Sequence, residues 1–226
     1  MENLKLKKHH KLIIAADGSA ASGKSTGSKL IAKKFNLKFL SSGLLYRYAS
    51  YKILKAKPKN KVFFLKKCFK RFNLEKLKRI KLHTPEISKY SSTIAKEKKI
   101  REILKIYQQK FAKKHKCLII EGRDIGTKIL PKADIKFFFK CKLDVAAKRR
   151  FKELKKTNSK IKFIDVKKAI NIRDNLDKKR KNSPLIQVKN AVIVDTSKIA
   201  IKAMVNIMTL TILDKIKKKY GNRTRN

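Results

Sequence analysis

Gly18-Ser-Ala-Ala-Ser-Gly-Lys-Ser25 fits the pattern GxxxxGK[ST]. Its glycines let the backbone curl until successive N–H groups face one anion, which is how such loops cradle phosphates. Lys24 can then reach the β- and γ-phosphates of a nucleoside triphosphate, and the Ser25 hydroxyl can ligate Mg²⁺. The helix that follows turns its positive end to the same anion. Gly18, Ser19, Ala20, Ala21, Ser22, Gly23, Lys24, Ser25 and Thr26 are therefore the candidate ATP-binding loop. A GTPase needs DxxG and NKxD further on, and neither occurs. A large motor ATPase needs more chain than 226 residues. A small P-loop chain reads instead as a kinase for a small acceptor.

Three further segments carry polar groups that packing does not require. Ser41-Ser-Gly-Leu-Leu-Tyr-Arg47 follows one apolar run, and Glu121-Gly-Arg-Asp-Ile-Gly-Thr127 follows another, at its carboxyl end, where open α/β sheets place ligands. Arg173, Asp177 and Arg180 stand at i, i+4 and i+7, which places them on one face of a helix. Taken alone, that set fits a solvated helix face as well as a site, and Arg123-Asp124 fits an internal ion pair as well as a ligand contact.

The rarity of certain residue types sharpens these candidates. Lys and Arg number 63 against 16 Asp and Glu, a formal charge of +47, yet only eleven of the cations are arginine. In a chain that writes nearly every cation as Lys, a surviving Arg points to a need for its planar, bidentate fork. Seven of the eleven (Arg47, Arg101, Arg123, Arg149, Arg150, Arg173, Arg180) fall in the motif segments, and so do all the glycines except Gly221. The lysine excess itself reads either as drift towards A/T-rich codons or as a polyanion surface. Such a field draws in phosphorylated anions and binds RNA non-specifically at low salt. No aromatic-interleaved RNA motif is present, so no specific nucleic-acid partner is expected.

The elements that must position these residues are legible in the apolar pattern. Leu12–Ala16, Lys38–Leu40, Cys117–Ile120, Ile135–Phe139 and Ala191–Val194 read as strands. Ser25–Phe35, Lys98–Lys114, Leu143–Leu154 and Lys198–Lys217 read as helices. Alternation of the two implies βαβ units and a parallel sheet. Lys52–Ile80 is basic and helical in pattern and reads as an insertion covering one sheet edge. Thr157–Lys162 reads as a mobile cover and Lys215–Asn226 as a frayed basic tail. Hydrophobic residues at 42% suffice for a core, and the length suits one domain. No run of about 18 apolar residues exists, so no membrane span is expected, and polar Met1–Lys11 gives no expectation of a signal peptide. Cys68, Cys117 and Cys141 lie far apart without a CxxC pair, which argues against disulfides and a thiolate zinc site and for the cytoplasm. Cys117 and Cys141 are expected as core thiols, and His9, His10, His83 and His115 have no ligand spacing.

In these ordered motifs the chain resembles the bacterial cytidylate kinases along nearly its whole length. The resemblance rests on the P-loop, on SSGLLYR at 41–47 where the family has DSG-x-x-YR, and on Thr84-Pro-Glu-Ile-Ser88 leading to Ser92 and Arg101. It continues through EGRDIGT, Ala133–Phe139, RRFKEL at 149–154, Arg173-Asp-x-x-Asp177-x-x-Arg180, Ser183-Pro-Leu185 and Asp195-Thr-Ser197. It implies an α/β three-layer P-loop fold with a five-stranded parallel sheet, a helical monophosphate-binding insertion (51–92) and a short lid within 149–170, in a single domain. It implies transfer of the γ-phosphoryl group of Mg-ATP to CMP or dCMP, by a monomer.

Carried over by position, the resemblance makes Ser92, Arg101 and Asp124 the cytosine readers. A carboxylate at Asp124 accepts from the N4 amino group and repels the carbonyl of uracil. Arg47 and Arg123 are the expected forks on the acceptor phosphate, Arg173 and Asp177 lie near ribose and phosphate, and Ser42 also contacts the acceptor. Lys24, Arg123, Arg173 and Arg180 are the candidate catalytic residues, with Ser25 the metal ligand. Arg149 and Arg150 fit either a role at the ATP phosphates or a solvated pair on a helix. Asp195–Ser197 lies where the family's loop passes the adenine. Two departures stand out: Ser41 replaces the usual Asp, and Ser19 a common Pro.

Overall fold

In the computed structural model, which describes residues 6–156 and 159–221, the short aliphatic runs form strands because alternate side chains find apolar cover. The order is β1 (Leu12–Gly18), α1 (Lys24–Lys34), β2 (Lys38–Ser41), α2 (Ser42–Ala56), α3 (Lys61–Lys70), a 3-10 turn (Leu74–Arg79), α4 (Pro85–Ile94) and α5 (Lys98–Lys114). It continues with β3 (Cys117–Gly122), a π turn (Ile125–Ile129), β4 (Ile135–Lys140), α6 (Leu143–Lys155), α7 (Phe163–Lys179), β5 (Val192–Asp195) and α8 (Ile201–Tyr220). The chain divides into two compact units, one from the residues up to Leu40 with those from His115 on, the other Ser41–Lys114.

The first unit is built on the sheet, whose strand order is β2-β3-β1-β4-β5. β1 pairs in parallel with β3 and β4, and β4 with β5. Leu12, Ile14 and Ala16 of β1 and Ile135, Phe137 and Phe139 of β4 turn to one face. There they bury against Ile31 and Phe35 of α1 and Met204, Met208 and Ile212 of α8. The order places β1 at the centre with successive connections leaving to opposite sides. The loops after β1 and β3 therefore open at the reversal point of an α/β sheet, its usual ligand crevice. Near the P-loop, α6 and α7 pack together through Ala147, Val166 and Ile170 with Ala20.

The second unit is helical. Its helices start where sequence supplies caps: Ser41 Oγ accepts the Leu44 N–H at 3.4 Å, Asn60 Oδ1 the Phe63 N–H at 3.0 Å and Thr84 Oγ1 the Ile87 N–H at 3.2 Å. Pro85 follows Thr84 at the first helical position, where its missing N–H costs nothing. Tyr48, Phe69, Phe72 and Tyr107 join α2, α3 and α5 in an aromatic cluster with ring centroids 4.7–5.9 Å apart.

Arg180, which closes α7, stands beside Asp177 as its spacing implied: its N–H still bonds the Leu176 carbonyl at 3.0 Å and its Nη1 reaches Asp177 Oδ1 at 3.1 Å, while its ψ of 137° turns the following chain to extended backbone. Two expectations are corrected, the frayed tail and the core thiols. The tail is not frayed from Lys215: α8 runs to Tyr220, Ile216 is buried, and the Tyr220 hydroxyl bonds both the N–H and the carbonyl of Lys11. His10 is buried too and stacks on Tyr220 at 4.3 Å, while residues 222–226 lie outside the described residues. Cys117 and Cys141 are half-buried rather than core thiols, and Cys141 lies one residue past β4. The expected cover, Thr157–Lys162, falls in the connection between α6 and α7, of which Thr157 and Asn158 lie outside the described residues. Among the described residues no helix is long and apolar enough to cross a membrane.

Gly18 stands opposite Phe139 where β1 and β4 close on each other, and a Cβ there would sit 2.5 Å from the Phe139 carbonyl oxygen and 2.7 Å from its Cβ. Neither strand can yield without breaking the ladder. Gly18→Ala is expected to lower the unfolding free energy by about 2 kcal/mol, read by urea denaturation; an unchanged midpoint would show that the strands separate freely.

Candidate active site

The loop between β1 and α1 curls because two of its residues take left-handed backbone, Ala21 (φ 52°) and Gly23 (φ 78°). For Ala21 this is a strained state, and strain of that kind is held only where the surroundings impose it. Gly23 precedes α1 and supplies no side-chain cap, so the first N–H groups of the helix turn into the loop's concavity. The loop is braced from outside. Ser22 Oγ donates to the Ser19 carbonyl at 2.9 Å, and Thr196 Oγ1 donates to the Ser22 carbonyl at 3.0 Å. Thr196 is itself gripped by Arg149, which donates to its Oγ1 at 2.9 Å and its carbonyl at 2.7 Å. The Ala20 N–H donates to Asp174 Oδ1 of α7 at 2.8 Å.

Lys24 is buried, with its ammonium 3.1 Å from Glu121 Oε2, and the Ser25 hydroxyl donates to Glu121 Oε1 at 3.0 Å. Burial holds the Lys24 ammonium below the usual lysine range, and the charges of Arg123 and Arg173 add to the effect while Glu121 opposes it. A hydroxyl and a carboxylate oxygen side by side suit a hard cation. Among the described residues no three His, Cys, Asp or Glu side chains converge as a metal cage. The Ser25–Glu121 oxygen pair fits Mg²⁺, which keeps several waters and binds through few protein oxygens plus phosphate.

Past β3, Arg123 donates from Nε to Asp177 Oδ2 at 2.7 Å, and Arg180 from Nη1 to Asp177 Oδ1 at 3.1 Å. Arg180 also donates from Nε to the Ser183 carbonyl at 2.6 Å and brings Nη2 to 3.9 Å from Asp124 Oδ1. Asp177 stays well below the usual carboxylate range because Arg123, Arg180 and Arg173 outweigh its burial. Arg123 is held above its ordinary value: burial works against its charge, and Asp177 and Asp174 overcome it. Arg173 is pushed down to about 10, by burial and then by Arg123, and its buried Nε has no hydrogen-bond partner among the described residues. A half-satisfied guanidinium beside a phosphate loop is suited to an anion.

In the second unit, Ser42 is buried at the first position of α2, and Arg47 lies one turn on, where a Cβ on Gly43 would stand 3.4 Å from its Nη1. Arg101 is buried on α5, donates to the Ala95 carbonyl at 3.0 Å and lies 5.6 Å over the Tyr46 ring. Ser92 Oγ donates to the Ser88 carbonyl at 3.4 Å.

A model of the family described as cytidylate kinase matches residues 14–215. The chain belongs to the cytidylate kinase family. It is 37% identical over 188 residues to a cytidylate kinase of Acidiphilium cryptum, covering 82% of this chain and 88% of that protein. It is 36% identical over 209 residues to one of Clostridium botulinum, covering 85% and 94%. Among solved structures, an uncharacterized protein from Eubacterium ventriosum aligns with a TM-score of 0.51 at 16% identity, over 89% of this chain and 98% of that one; this likeness concerns the fold.

Of the residues singled out in the sequence, Lys24, Ser25, Arg123, Asp124, Arg173, Asp177 and Arg180 lie in the first unit, linked through Glu121 and Asp177. Ser42, Arg47, Ser92 and Arg101 lie in the second. Arg149 bonds Thr196, and Arg150 pairs with Glu153 at 2.9 Å while its charge also bears on Arg173. Ser41, at the position of the family's usual Asp, caps α2. Sequence reasoning missed Asp17, and it quoted Glu121, Asp174 and Thr196 within motif segments without assigning them these contacts. The three acids had a signal: with only 16 Asp and Glu in the chain, an acid beside a motif is as selective as an arginine.

Asp17 is buried, and its carboxyl is raised to about 6 from 3.8 by desolvation, against two backbone N–H bonds. An acid with a native value above its unfolded one stabilises the fold fully below pH 3.8 and loses that contribution as pH rises through 6. The stability advantage of the native chain over Asp17→Asn is thus expected to shrink by about 3 kcal/mol between pH 4 and 7.5. Urea unfolding of both proteins at several pH values measures it, and a constant difference would show that Asp17 titrates normally.

Proposed function

We propose that this chain phosphorylates CMP and dCMP in the cytoplasm with Mg-ATP as donor. The γ-phosphorus–oxygen bond of ATP breaks, a bond forms to an acceptor phosphate oxygen, and CDP or dCDP leaves with ADP. Family membership supports phosphoryl transfer to CMP. One structural observation carries the reading furthest: the strained, braced loop presents Lys24 and uncapped N–H groups beside Arg123 and Arg173, whose charges act on the Lys24 ammonium. Such a cluster is costly when empty and relieved by polyanions.

The chemistry follows from charge. Two polyanions must meet in line, so catalysis consists of positioning and neutralisation rather than base strength. Residues Gly18–Thr26 hold the donor phosphates, with Lys24 on the transferring group and Ser25, backed by Glu121, on the metal. When bound, Mg²⁺ neutralises phosphate oxygens. Arg123, Arg173 and Arg180 stabilise charge on the transferred group; an arginine in this role is worth on the order of 10³-fold in rate. Arg47 and Arg123 fork the acceptor phosphate, Arg173 and Asp177 hold ribose and phosphate, and Ser42 adds a hydroxyl contact. Asp124 accepts from cytosine N4 while Arg101 and Ser92 donate to N3 and O2. The enzyme acts as a monomer and without a specific nucleic-acid partner.

Coupled ADP release with Mg-ATP and a panel of CMP, dCMP, UMP, AMP and GMP tests the proposal. Turnover is expected with CMP and dCMP in preference to the rest; folded protein that turns over none of them refutes it. Asp124→Asn is expected to lower the CMP-over-UMP ratio of kcat/KM by about tenfold or more, because an amide presents a donor to either base. An unchanged ratio would remove Asp124 from base reading.

A further inference from the structure

Asp124 stands at the N-cap of the π turn Ile125–Ile129, where an aspartate ordinarily folds its carboxylate back onto the N–H groups that follow. It makes no such bond. A second carboxylate has taken the place: Asp17 Oδ1 accepts the Ile125 N–H at 2.8 Å and Asp17 Oδ2 the Gly126 N–H at 2.7 Å. The glycine permits the approach, since a Cβ at Gly126 would lie 3.3 Å from Asp17 Oδ2. Asp17 is the last residue before the first glycine of the P-loop and pairs across the sheet with Gly122, the residue that leads into Arg123 and Asp124.

We propose that Asp17 is a positioning residue for acceptor recognition: by capping this turn in place of Asp124, it keeps the Asp124 carboxylate off its own backbone and holds Arg123 and Asp124 in register with the phosphate loop. The proposal rests on the reading of Asp124 as the acceptor for cytosine N4. Its logic is competition. Two N–H groups in a buried turn require acceptors, and one deprived of an acceptor is costly. Without Asp17 the nearest candidate by sequence is Asp124 itself. A carboxylate that caps its own turn is no longer directed at a base. Asp17 is also an expensive way to supply a cap, because burial opposes its charge. A turn that needed only closing would be capped locally by the aspartate already standing there.

The test compares Asp17→Asn, Asp124→Asn and the double variant in the full-length enzyme, by kcat/KM for CMP and UMP and by KM for ATP. The amide keeps the volume of Asp17 and one acceptor oxygen but turns a donor towards the other N–H. Asp17→Asn is expected to lower the CMP-over-UMP ratio by about tenfold with KM for ATP within about twofold. The double variant should match Asp124→Asn, since both changes act through one carboxylate. A merely structural role would lower both acceptors alike and leave the ratio where it was, which overturns the proposal. Additive losses in the double variant overturn it as well. If Asp124→Asn lowers the ratio and Asp17→Asn does not, the Asp124 reading stands and this proposal alone fails. If Asp124→Asn leaves the ratio unchanged, the Asp124 reading has failed and takes the proposal with it. Should Asp17→Asn not fold, Asp17→Ser, whose hydroxyl accepts one N–H, is measured against the same criteria. Failure of both variants to fold makes Asp17 architectural and refutes a role in recognition.

Discussion

Lys24 is buried beside half-buried Arg123 and Arg173, whose charges oppose its own, and the first unit is arranged around that cost. Removing cations from water is unfavourable, and placing them side by side multiplies the penalty. The acids that offset it arrive from separate elements. Glu121 comes from the end of β3 and holds Lys24 and Ser25. Asp177 comes from the last turn of α7 and is shared by Arg123 and Arg180. Asp174, one residue after Arg173, reaches a P-loop N–H. Each acid satisfies some donors and leaves others, so Arg173 retains an unpaired Nε while the cluster stays charged. A fully neutralised cluster would be more stable and would have nothing left for phosphate.

That arrangement explains how so cationic a chain builds a specific anion site. With a net charge of +47, positive potential is available everywhere and cannot by itself mark a location. What marks the site is planar, low-entropy donors whose direction is set by scarce carboxylates. Thr196 and Arg149 extend the same economy to the back of the P-loop, where the Thr196 hydroxyl holds the Ser22 carbonyl and the Arg149 guanidinium holds Thr196.

Much of this was legible before any coordinates. Strands declared themselves as short aliphatic runs, and Lys98–Lys114 was bounded correctly because its periodic apolar face spans the whole helix. The glycines and arginines of the site stood out against a lysine background. The i, i+4, i+7 spacing placed Arg180 beside Asp177, with which it pairs at 3.1 Å. Nothing in Lys178-Lys179-Arg180 signals that the backbone turns extended after Arg180 and that its Nε bonds the Ser183 carbonyl. The tail was misjudged because a lysine-rich terminus resembles a solvated one, while Ile216 and Tyr220 bury or bond at a spacing the charges conceal.

The sequence by itself determined the class of chemistry, because a phosphate loop needs its glycines and lysine at contiguous positions, and contiguity is what a sequence records. It determined the alternating elements as well, since periodicity is local. Only the tertiary structure decided which carboxylate serves which donor. Asp17 caps a turn more than a hundred residues away, Glu121 pairs with Lys24 across a strand pair, and Asp174 reaches the P-loop from α7. Those pairings depend on strand order and on the register that sets Asp17 opposite Gly122. Order and register emerge only when the whole apolar face is buried at once.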